Sequence, residues 1–145
     1  MGIGGVIVLF ATTFIHELGY LFFAYLVGYK DLKMTIGIGN KFIQIKNIKI
    51  FSWFFFPKGE VQFRVGTNES KFARLLFYMG GIIFQLISLW FVNSIKADLN
   101  YPYWIGYFNA CSWLGIIFVL LPMKFGTYKS DGYQAYHLFL KKESL

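Results

Sequence analysis

Phe14-Ile15-His16-Glu17-Leu18-Gly19-Tyr20 lies inside the first long apolar run of the chain, Ile3 to Gly28, which holds no other charge. A run of that length spans about 30 Å of hydrocarbon as a helix. An ionisable group at bilayer depth costs about 2.5–3.5 kcal/mol on insertion scales, so an adjacent His and Glu there need partners or a function. H-E-x-x-H on a helix is a zinc-binding pattern: two His one turn apart face one metal, and the Glu beside the first is the general base. Here His16 and Glu17 are present, and Tyr20 stands where the second His would be.

The 145 residues are 57% hydrophobic, 22% aromatic and 14% charged. Soluble domains run at about 45–50% apolar and about 25% charged, so composition predicts an α-helical integral membrane protein, in one domain over residues 1–145. The net charge of +7 fits basic cytoplasmic loops better than a nucleic-acid surface, because no binding module is recognisable. The single Cys111 excludes an internal disulfide framework. The N-terminus has no basic n-region, and its apolar run continues into His16-Glu17, unlike a cleaved signal.

Three apolar runs are long enough to span: about 3–28, 72–95 and 103–123. Between the first two, over about 33–66, the period changes. Met34 to Ile38 alternates, Gly39-Asn40 reads as a turn, and Phe42 to Ile50 alternates again, a hairpin signal. Glu60 to Val65 is a third candidate strand. Phe51 to Pro57 is aromatic and too short to span, which suits the headgroup layer. The expectation is three transmembrane helices with a small membrane-associated β-sheet between the first and second. The tail, about 131–142, reads as an interfacial helix.

Charge sets the expected orientation. Lys30 to Arg74 holds nine basic and three acidic residues, and the tail from Lys124 adds four basic and two acidic. The Lys96–Pro102 link is neutral. Three spans put the basic loop and the basic tail on one side, the cytoplasmic one. Near the end of the third run, Pro122 breaks the helix, and Asp131-Gly132 follows after a loop; the pair alone is a turn signal.

Taken in order, these features resemble the site-2 protease family of intramembrane zinc metalloproteases. His16-Glu17-Leu18-Gly19 matches the start of its H-E-L-G-H. The strand-rich stretch is similar to its membrane-associated β region. Gly80-Gly81 followed by Gln85 is similar to its glycine-rich motif, and Leu121-Pro122 through Asp131-Gly132 to its N-x-x-P…D-G motif. The resemblance implies zinc as cofactor, with His16 and Asp131 as ligands and Glu17 as the catalytic base. It implies Gln85, Gly80 and Gly81 as substrate contacts, and a membrane-embedded peptide as the substrate. The host would be a bacterial cell membrane.

The chain departs from the family at Tyr20, a phenol in place of an imidazole and a poorer zinc ligand. Zinc held by His16, Asp131 and Tyr20, or with added water, is one arrangement; compensation by His137, the other His, is a second. Val119 stands where the family has Asn. Three readings stay open at this point: a metallopeptidase, an inactive relative that binds a peptide or partner, and an accessory subunit in which His16-Glu17 only packs.

Overall fold

The three apolar runs form helices, and the polar alternation between the first two forms strands. In a computed structural model, residues 3–54, 58–65, 70–95, 102–126 and 128–140 are described. Their order is α1 (Ile3–Leu26), β1 (Lys30–Ile36), β2 (Ile38–Ile45), β3 (Ile48–Trp53), β4 (Gly59–Arg64), α2 (Lys71–Ile95), α3 (Pro102–Leu120), β5 (Lys124–Phe125), β6 (Tyr128–Lys129) and α4 (Asp131–Leu140). Helices α1, α2 and α3 are each long and apolar enough to cross a membrane. Gly28, at φ 82°, ends α1 in the left-handed conformation, and Tyr29 N–H returns to Ala24 C=O at 2.9 Å. Ser70 caps α2, its Oγ accepting Ala73 N–H at 3.0 Å.

The expectation of an α-helical class is corrected by the strands. β1–β4 form a four-stranded mixed sheet in the order β2-β3-β1-β4, with β1 parallel to β3 and the other pairs antiparallel. The protein is therefore built of helices and a sheet together. The strand boundaries also differ from the expected ones. Gly39 and Asn40 lie within β2, and the hairpin turns instead at Lys46-Asn47, where Lys46 has φ 49°. β5 and β6, which the alternation does not suggest, form a second small hairpin ahead of α4. The Lys96–Tyr101 link, Phe55–Pro57 and Lys141-Lys142 lie outside the described residues.

The sheet does not sit on top of the helices. β1 turns back from the end of α1, and its Met34 and Ile36 are fully buried on the face toward the helices. Phe54, just past β3, packs edge-on to Phe10 of α1 at 5.4 Å. Phe10 is about 24 Å along the helix from Leu26, at 1.5 Å per residue. Aromatic contacts join the layers. Tyr29 stacks on Phe63 of β4 at 4.4 Å, and Phe77 of α2 meets Phe63 at 4.6 Å and Tyr20 at 5.2 Å.

Helices α1 and α2 approach backbone to backbone. A Cβ on Gly19 would overlap the Gly80 carbonyl, and one on Gly80 would lie 2.8 Å from Gly19 O. Small residues of this kind let helices in a membrane pack closely. Gly19→Ala is expected to lower the unfolding midpoint in detergent, at a cost of about 1–3 kcal/mol. Gly106→Ala, where nothing lies within 4 Å, is the control and should leave the midpoint unchanged or slightly raised. Equal midpoints for the two variants would contradict this packing.

Candidate functional site

His16 and Glu17 are neighbours on α1 and therefore point about 100° apart around the helix. His16 faces α2. A Cβ on Gly81 would lie 2.5–2.7 Å from its ring atoms, so the imidazole rests directly on the glycine backbone. Gln85, one turn further on and 3% exposed, sits against His16 Nδ1 with Oε1 at 3.1 Å. With that amide orientation, Nδ1–H donates to Gln85 and Nε2 points the other way. Glu17, 5% exposed, faces the sheet, where a Cβ on Gly59 of β4 would overlap its carboxyl. Its Oε2 has no hydrogen-bond partner among the described residues.

Asp131 arrives from the far end of the chain. The loop after α3 is pinned by Ser130, 1% exposed. Ser130 Oγ donates to Leu121 C=O at 2.5 Å and accepts Met123 N–H at 3.0 Å and Tyr133 N–H at 3.2 Å. The last contact caps α4 and sets Asp131 as its first residue. Gly132 is small because a Cβ there would overlap the Leu120 carbonyl. Asp-Gly is thus a helix start packed onto the end of α3, where the pair by itself suggests a turn. Nothing in the family-like motif points to Ser130, but Ser-Asp-Gly ahead of an amphipathic stretch is a readable cap signal.

This geometry brings His16 Nε2 and Asp131 Oδ2 to 3.9 Å of each other, across 115 positions of sequence. The Tyr20 hydroxyl lies between them, 2.9 Å from His16 Nε2 and donating a hydrogen bond to Asp131 Oδ2. Burial pushes the Asp131 carboxyl up to about 7. A phenol has one proton and here two neighbours. If it donates to Asp131, Nε2 must carry a proton toward the phenol oxygen. If it donates to Nε2, Asp131 must supply one.

The same donors can be tested against zinc. A catalytic zinc takes three protein ligands at about 2.0–2.2 Å and keeps a fourth position open. His16 Nε2 and Asp131 Oδ2 lie 3.9 Å apart, and the third oxygen beside them is the Tyr20 hydroxyl. Among the described residues, no three His, Cys, Asp or Glu side chains gather as a ligand set. The donors gathered here are one imidazole, one carboxylate and one phenol, and the phenol is a poorer zinc ligand than the imidazole it replaces in the zinc-binding pattern. His137 is exposed on α4 and packs on Tyr133 at 4.3 Å. Val119 packs with Ile82, Leu89 and Ile116. Gly80 and Gly81 are buried in the α1–α2 contact, and Gln85 holds His16.

The chain is similar to an uncharacterised membrane protein of Bacillus subtilis strain 168, YwmF. The two are 29% identical over 136 residues, which is 90% of this chain and 82% of the relative. No protein-family model matches the chain, and no solved structure matches it. The likeness to a membrane protein, together with three apolar helices, makes this a membrane protein.

Gln85→Leu removes the acceptor beside a buried imidazole while keeping volume. It is expected to cost about 1–3 kcal/mol of stability, read as a lower unfolding midpoint in detergent. A midpoint equal to the native one would mean that Gln85 does not hold His16.

Proposed function

We propose that the chain is a site-2-protease-like pseudoprotease: a membrane protein that binds a membrane-embedded peptide or partner protein on a protease-type scaffold without hydrolysing it. The observation that carries this reading is the Tyr20 hydroxyl between His16 and Asp131, a hydrogen-bonded bridge where the related enzymes would hold metal. The order of motifs along the chain supports the scaffold. β4 supports the binding role: it is an outer strand of the sheet, and its Gly59 rests on Glu17. A peptide added to the edge of β4 would run past that carboxyl. The basic loop and tail support a cytoplasmic side for the sheet and α4 in a bacterial cell membrane.

One observation favours a peptidase instead. Among the described residues Glu17 Oε2 is buried without a partner, which suits a general base. Zinc per chain, measured on detergent-purified protein beside peptide-cleavage assays, separates the two. The pseudoprotease reading expects no stoichiometric zinc, no product, and peptide binding unchanged by Glu17→Gln. It expects Tyr20→His, which supplies the missing imidazole, to bring zinc to about one per chain. Native zinc lost in His16→Ala, with cleavage lost in Glu17→Gln, would overturn it in favour of the enzyme.

A further inference from the structure

The face of the sheet turned away from α1 is built differently from the inner face. Met34 and Ile36 point inward, so Lys33 and Thr35 point outward. The register places Lys49 of β3 beside Thr35 on one side and Glu60 of β4 on the other, with Gln62 beside Lys33. Lys58 completes the wall of an open cavity of about 460 Å³ on this face. Three lysines therefore surround one carboxylate, and that carboxylate already accepts a hydrogen bond from Gln62 at 3.0 Å. Among the described residues, none of the three lysines forms an ion pair. The lining of the cavity carries an excess of two positive charges.

The same ribbon is apolar where it reaches past the helices. Phe42, Ile45 and Trp53 are 65%, 64% and 56% exposed. Trp53 adjoins the cavity through Gly39, where a Cβ would lie 3.1 Å from its ring. Between Asp31 and Glu60 the chain has five lysines and no acid. A soluble anion would need the lysines but not the exposed rings. A bilayer surface uses both, with rings at the headgroup level and lysines on the phosphates. The sheet adjoins α1, a helix long and apolar enough to cross a membrane, so lipid is within reach of its lysines and exposed rings.

We propose that the outer face of the sheet is a binding site for anionic phospholipid, with Lys33, Lys49 and Lys58 on the headgroup phosphate and Phe42 and Trp53 inserted beside it. The site is separate from the His16–Tyr20–Asp131 bridge and stands whether or not the chain binds peptide. Each lysine near an anionic surface strengthens binding severalfold, so three together give roughly a hundredfold preference for anionic over zwitterionic lipid.

The test is Trp53 fluorescence in nanodiscs that mix phosphatidylcholine with phosphatidylglycerol, brominating one lipid or the other. The Trp53 contribution is the difference from Trp53→Phe. Brominated phosphatidylglycerol should quench Trp53 well beyond its share of the lipid, and brominated phosphatidylcholine less than its share. Lys33→Gln/Lys49→Gln/Lys58→Gln should bring both to their shares while circular dichroism stays native. Lys124→Gln/Lys129→Gln removes charge from the β5–β6 hairpin and should leave the preference intact. If the sheet triple variant loses its fold, the three single variants carry the test, each expected to weaken the preference severalfold. Equal quenching by the two lipids in the native chain would overturn the proposal. So would a preference lost equally in both multiple variants, which would mean net charge alone. Abolition of the preference by millimolar inorganic phosphate or an acidic peptide would assign the lysines to a soluble anion or a protein partner instead.

Discussion

A histidine and a glutamate inside an apolar helix must be answered by other parts of the molecule, and most of the architecture follows from that requirement. His16 receives Gln85 from α2 and Tyr20 from its own helix, with Asp131 one step beyond. Gln85 and His16 meet because Gly19, Gly80 and Gly81 let α1 and α2 touch. Asp131 reaches the membrane helices because Ser130 pins the loop after α3 and starts α4 there. The glycines, the amide, the cap and the tail helix are thus parts of one polar assembly held inside an apolar bundle.

The phenol beside His16 and Asp131 is the distinctive part of that assembly. A zinc ion would tie α1 to α4 through charge and would polarise water. The Tyr20 bridge ties the same two elements through hydrogen bonds. Glu17 packs its carboxyl against the backbone of β4 at Gly59 and, among the described residues, keeps one buried oxygen unpartnered.

Much of this is legible in the sequence, and the rest is hidden for definite physical reasons. The three spans are readable because length and apolarity alone define them, and Gly28 and Pro122 mark their ends. The sheet's presence is readable from alternation, but its turn is not at the most turn-like pair. Gly39-Asn40 is absorbed into β2, whereas the phase break between Ile45 and Ile48 marks the true turn at Lys46-Asn47. The parallel pairing of β1 with β3 carries no local signal at all. In the site, His16, Glu17 and Asp131 are readable as residue types in a pattern. The position of the Tyr20 hydroxyl is not, because it depends on where α4 docks, 111 positions away.

The central claim is that Tyr20 joins α1 to α4 through Asp131. A double-mutant cycle on unfolding in detergent, using Tyr20→Phe, Asp131→Ala and the pair, measures it most directly. A bridge predicts that the second substitution costs little once the first is made, with a coupling of about 1–3 kcal/mol. Losses that add to within about 0.5 kcal/mol would mean that the two side chains do not act together, and would contradict the account.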